Sequence, residues 1–114
     1  MQKAYKIFEV DNNKIKNLFK GINYSREIKP DKWHEAELKW GRDGSNSTYY
    51  LTGIHCLPSK KQAIEYLNNF RVPKKRVIAE VYIIGNRRKP TNENVILAEK
   101  LFLPQKEFKR CINL

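Results

Sequence analysis

The sequence predicts an α+β fold, a mostly antiparallel sheet with one central amphipathic helix packed on one face. Short runs of alternating apolar and polar residues recur along the chain, the period of half-buried strands. One segment, residues 59–71, changes to helical spacing. No repeat, low-complexity tract or long Gly/Ser/Pro linker interrupts the 114 residues, which predicts a single domain over 1–114.

Residues 5–10 set Tyr5, Ile7 and Glu9 against Lys6, Phe8 and Val10, the alternation of a strand. Asp11-Asn12-Asn13 marks a turn, because short amide and carboxylate side chains bond their own backbone and tolerate left-handed geometry. Residues 15–19 return as the partner strand of an N-terminal hairpin. Residues 21–28 fit neither period, and Lys29-Pro30-Asp31 breaks whatever precedes it. Residues 33–40 are read as a strand, although a short helix fits nearly as well. Residues 41–48 are a loop, and residues 49–56 a buried strand interrupted by Gly53.

Ser59 and Gln62 form the capping box S-x-x-Q, in which each satisfies an amide that the helix start leaves unpaired. Ala63, Ile64, Leu67 and Phe70 follow on one helical face. The helix ends near Arg71, since Pro73 disfavours helical geometry at Val72. Residues 77–84 form a strand with residues 95–103 as its antiparallel partner. Between them, residues 85–94 make a polar connector too long for a tight hairpin turn. After Pro104, Phe108, Cys111 and Ile112 form a short amphipathic turn that packs back.

Hydrophobic residues make up 40% and aromatics 11% of the chain, enough to exclude wholesale disorder. No apolar run approaches the roughly 20 residues that cross a bilayer, and the first residues go straight into strand alternation without a signal region. The expectation is a soluble, cytoplasmic protein with no membrane partner. Cys56 and Cys111 are too few for a disulfide framework, so both are expected as free thiols, with Cys56 packed in the core.

The formal charge of +11, from 23 basic and 12 acidic residues, is unevenly placed. Residues 59–89 carry a net +7: Lys60, Lys61, Arg71, Lys74, Lys75, Arg76, Arg87, Arg88 and Lys89 against Glu65 and Glu80. Clusters at the helix start, the helix exit and the connector predict a surface for nucleic acid or another polyanion. A solvated surface without such a role explains the same charge. No sequence-reading motif of the helix-turn-helix, zinc-finger or RNP type is present.

Catalytic patterns are sparse. His55 and Cys56 are adjacent, and neighbouring strand residues point to opposite faces, so they are poor partners. His34, His55, Cys56 and Cys111 lack metal-ligand spacing, so no metal is expected. Glu35 and Glu37 share a face if residues 33–40 form a strand. Tyr24, Trp33, Trp40, Tyr49 and Tyr50 offer stacking surfaces, and Trp40, beside the Gly-rich loop, is the one expected to be partly exposed.

Tyr5-Lys6-Ile7-Phe8, Trp33-His34-Glu35-Ala36-Glu37, Gly53-Ile54-His55-Cys56 and Leu97-Ala98-Glu99-Lys100 occur in an order that resembles short phage-encoded accessory proteins of unassigned function. The resemblance implies a viral or prophage source and a role in host takeover or counter-defence. Gly53-Ile54-His55, Pro58-Ser59 and the helix through Ala63 also look like the central strand-to-helix step of ADP-ribosyltransferase-like folds. That likeness implies NAD as cofactor, with Tyr50 or His55 near the nicotinamide and Glu80 or Glu99 acting on the ribose. It lacks the His-Gly or Arg-Gly of the first strand, unless Lys20-Gly21 stands in. Three readings follow. The leading one is a non-enzymatic accessory protein that binds nucleic acid, or a host nucleic-acid-binding protein, through its Lys/Arg face. The second is a small NAD- or nucleotide-handling enzyme, and the third an inhibitor acting by β-edge pairing. A homodimer is compatible with all three.

Overall fold

A computed structural model describes residues 1–17, 27–36, 38, 40–42, 49–68 and 75–114. In chain order these form β1 (Gln2–Asp11), β2 (Lys14–Asn17), β3 (Trp33–Glu35), β4 (Trp40–Arg42), β5 (Tyr49–Leu51), β6 (Ile54–Cys56) and α1 (Lys60–Leu67). They continue with β7 (Arg76–Ile84), β8 (Arg87–Lys89), β9 (Asn92–Ala98), β10 (Lys100–Phe102) and α2 (Gln105–Ile112). The α+β class is as expected, with every strand pairing antiparallel.

The largest sheet has the order β2-β1-β7-β10-β3, beside a three-stranded sheet β6-β9-β8 and the β4-β5 ladder. The N-terminal hairpin turns on Asn12 and Asn13, at φ 50° and 61°. Two consecutive left-handed residues are what a two-residue hairpin loop needs for its twist to match the strands. Tyr5 and Leu57 exchange both backbone hydrogen bonds, at 2.8 and 2.7 Å. This isolated bridge joins β1 to the chain just after β6.

Alternation along β7 sends Val77, Ala79, Val81 and Ile83 into the main core with Ala4, Phe8, Ile96, Leu101 and Cys111. Ile7, Leu57, Ala63 and Val95 form a second cluster, with Tyr66, Leu67 and Ile78 packed against it. Two helices serve these clusters, where the sequence predicts one. Ala63 is the only residue of α1 that is fully buried, too small a face to cover the core alone. The C-terminal segment becomes a full helix, α2, which contributes buried Cys111 with Phe108 and Ile112. It also closes an open stretch of β7, where Glu107 accepts from the Glu80 amide at 2.8 Å and Arg110 donates to the Ile78 carbonyl at 2.7 Å. An ion pair between the same two side chains, at 2.9 Å, holds the Glu107 carboxyl below its usual range. These groups take the place of a neighbouring strand on backbone that would otherwise invite edge pairing.

Three expected elements differ. Residues 33–40 are not one strand: β3 stops at Glu35, and Trp40 opens β4, which pairs with β5 instead. The expected strand over residues 95–103 is divided at Glu99, and only β10 pairs with β7. The expected polar connector over residues 85–94 is instead a hairpin of β8 and β9. One corner explains the last two. Gly85 has φ +93°, and a Cβ there would lie 2.9 Å from the Glu99 amide nitrogen; that amide donates to the Ile84 carbonyl at 2.8 Å. The interruption at Gly53 is as expected, separating β5 from β6.

The helix start also follows the sequence. Ser59 is extended, with φ −139° and ψ 156°, and its oxygen accepts from the Gln62 amide at 3.2 Å. Gln62 does not reach back to the Ser59 amide; its side chain accepts from the Ser59 hydroxyl at 3.0 Å and donates to Asn94 at 3.4 Å. Ser59→Ala leaves a first-turn amide unpaired and is expected to cost ~1 kcal/mol, read by thermal or denaturant melting.

Candidate nucleic-acid interface

The β4–β5 ladder pairs Trp40 with Leu51 and Arg42 with Tyr49. Trp40 and Tyr49 are therefore diagonal neighbours on one face, within reach of each other's rings. Their centroids are 6.1 Å apart with planes 11° from parallel, and the residues are 61% and 59% exposed. The exposure expected of Trp40 is present, and Tyr49 joins it. Tyr50, on the opposite face of β5, is buried, with the Lys89 ammonium 5.9 Å from its ring centroid, within range of a cation–π attraction.

Arg87 fastens this ladder to the body of the protein. Its two terminal nitrogens donate to the Leu51 and Thr52 carbonyls, each at 2.8 Å. A planar guanidinium suits such two-point bonding, which a lysine cannot reproduce. Gly53 keeps the approach open, because a Cβ there would lie 2.9 Å from the Ala98 carbonyl and 3.3 Å from the Arg87 guanidinium. The sequence predicts Arg87 as an exposed phosphate ligand in a polar connector. The structure places Arg87 as a half-buried residue of β8, in a strand and not a connector, with its guanidinium on the Leu51 and Thr52 carbonyls.

The other basic residues divide into two groups. Lys60 and Lys61 are exposed at the start of α1, where Gln62 bonds Asn94 of β9. Arg88 is exposed and donates to the Glu93 carbonyl at 3.2 Å. The helix start and the β8 cluster thus flank the same β8–β9 hairpin. Lys75 and Arg76 lie at the start of β7, and Lys75 donates to the Leu114 carbonyl. They stand at the far end of the nine-residue strand from the corner where β8 departs, roughly 30 Å along a strand of that length. Arg71 and Lys74 lie outside the described residues.

The residues of the NAD reading occupy separate surroundings. Tyr50 is buried against Lys89, and Glu80 pairs with Lys3 at 2.7 Å. Glu99 is exposed at the corner against Gly85. His55 lines a pocket with Lys6, Cys56 and Tyr66 that includes neither Tyr50 nor a carboxylate. This arrangement does not fit a nicotinamide site built from those four residues. Cys56 and Cys111 are buried, free thiols, and burial pushes Cys56 up to about 11. Among the described residues no group of three or more acidic, His or Cys side chains is placed to hold a metal, and no helix is long and apolar enough to cross a membrane.

Sequence reasoning finds Trp40 and the basic strand separately and misses their connection. The pairing of residues 40–42 with 49–51, and the two-point bond from Arg87, leave no local pattern. Arg87→Ala removes two charge-assisted hydrogen bonds from half-buried carbonyls and is expected to destabilise the protein by about 1.5–3 kcal/mol. Arg88→Ala, on the exposed side of the same strand, is expected to stay within about 0.5 kcal/mol. Parallel denaturant melts of the two variants measure the difference.

No protein-family model, curated protein or solved structure matches the chain, so its functional reading comes from this geometry.

Proposed function

We propose that the chain is a non-enzymatic accessory protein that binds single-stranded nucleic acid, with the Trp40–Tyr49 pair as its stacking platform. The single observation behind this reading is that pair: two near-parallel rings open to solvent, on a ladder fastened to a basic strand. Bases stack on exposed aromatic faces regardless of sequence, at ~1–3 kcal/mol per base. Lys60, Lys61 and Arg88 supply outward charge for phosphates around the adjoining hairpin, and the net +11 favours encounter with a polyanion. A surface basic only for solubility has no use for two exposed rings beside its charge. Cytoplasmic action on the nucleic acid of a host cell suits the accessory role that the phage resemblance implies.

Fluorescence anisotropy with labelled single-stranded DNA and RNA tests the reading. The double variant Trp40→Ala/Tyr49→Ala is expected to lose ~1–3 kcal/mol of affinity for each base that stacks, with its melting temperature close to wild type. Replacing Lys60, Lys61 and Arg88 with Ala is expected to flatten the log-affinity against log-salt slope by ~0.7 for each phosphate left without its cation. Lys14→Ala/Lys16→Ala removes similar charge from the N-terminal hairpin and is expected to leave binding nearly unchanged. Absence of wild-type binding to either oligonucleotide at low salt would overturn the proposal.

A further inference from the structure

We propose that Lys6 is a carbonyl-reactive amine, whose pocket admits a short-chain aldehyde and holds it as an imine. This inference is independent of the nucleic-acid reading and concerns a different part of the molecule. Lys6 lies on the face of β1 that carries Ala4 and Phe8 into the core, and it is only 6% exposed. Its Nζ donates to the His55 carbonyl at 2.7 Å and lies 5.7 Å from the Phe8 ring centroid. Among the described residues no carboxylate pairs with it. A methionine would fill similar space without burying an amine, so packing alone does not account for a lysine here.

Lys6 lines a small, open-mouthed pocket with Ile7, Leu57, Val95 and Tyr66. Of the titratable groups lining it, His55 offers its carbonyl to Lys6 and Tyr66 belongs to the apolar wall. The Cys56 thiol, pushed up by burial, supplies no anion near neutral pH. Burial lowers the ammonium's affinity for its proton, so Lys6 exposes a nucleophilic lone pair at lower pH than a surface lysine does. In the reaction that lone pair attacks the carbonyl carbon and a C–N bond forms. The carbonyl oxygen takes up two protons, matching the two that nitrogen gives up, and leaves as water. A C=N bond remains, with no oxidant or reductant consumed. Apolar walls slow the return of water to that bond.

Acetaldehyde with cyanoborohydride as the trapping reductant, followed by peptide mapping, tests the proposal on the intact wild-type protein near neutral pH. Lys6 is expected to be alkylated severalfold faster than exposed Lys14 and Lys60, and to lose that advantage in guanidinium chloride. Lys6 reacting no faster than those two in the native protein overturns the proposal.

Stability against pH gives a second readout. Because the folded amine binds its proton less tightly than the unfolded one, the unfolded state holds more protons between the two pKa values. The Lys6 contribution to wild-type stability therefore rises with pH through that window, up to about 10.4. Lys6→Met lacks this dependence and is expected to be the more stable protein near neutral pH, with the gap closing toward about pH 10.4. Cys56 is present in both proteins, so its own titration largely cancels. A gap that does not change with pH overturns the proposal.

Discussion

At Gly85 the backbone adopts φ +93° and passes so close to Glu99 that a Cβ would lie 2.9 Å from its amide nitrogen. Up to this point β7 and β10 run as paired neighbours, and beyond it β8 and β9 leave as a different ladder. The corner is held by the Glu99 amide on the Ile84 carbonyl, and the Glu99 carbonyl in turn accepts from Ala36 at 2.8 Å. One strand-length of chain thus serves two sheets. Because β8 turns out of the large sheet here, Arg87 comes alongside β5 and its guanidinium meets two carbonyls there. The aromatic pair is oriented by a backbone constraint at a residue that carries no side chain.

The positive charge has several separate physical uses. Arg110, paired with Glu107, closes the open stretch of β7, and Arg87 fastens a hairpin. Lys6 is inside the core, while Lys60, Lys61 and Arg88 face solvent. In the sequence these are one excess of basic residues, and their clustering points to a single surface. Burial separates them: the half-buried Arg87 guanidinium spans two backbone carbonyls, whereas the exposed Arg88 makes a single bond to the Glu93 carbonyl and keeps other donors toward solvent.

Local patterns are legible wherever the determining contact is close in sequence. Asn12-Asn13, Ser59 with Gln62, and the alternation of β1 and β7 all fix their geometry within a few residues. What escapes depends on distant partners. Residues 95–103 read as one strand because only Glu99-Lys100 separates two apolar runs, and the bend between them depends on contact with distant Gly85. Residues 85–94 read as a connector because their polarity hides a ladder whose partner strand is buried. The candidate site has half its parts visible, the exposed Trp40 and the basic run, but not the pairing that brings them together. Lys6 reads as one position of an alternating strand, and nothing nearby shows that its face points into the core.

Among the described residues the β4–β5 ladder contains two three-residue strands and joins no larger sheet, and two strands alone are at best marginally stable in water. Its order therefore depends on what ties it down: the Arg87 fork, the Lys89–Tyr50 contact and buried Tyr50. A stacking platform built this way couples ligand affinity to local stability, because a base gains fully from Trp40 only while the ladder is formed. On the proposed reading, Arg87 acts on affinity without touching nucleic acid. Removing its two hydrogen bonds lowers the fraction of molecules with the platform assembled, and apparent affinity falls by that fraction. The salt dependence of binding, which counts phosphates actually neutralised, does not change with that fraction. A residue that touches phosphate alters both quantities and a positioning residue only the first, which distinguishes the inner and outer sides of β8.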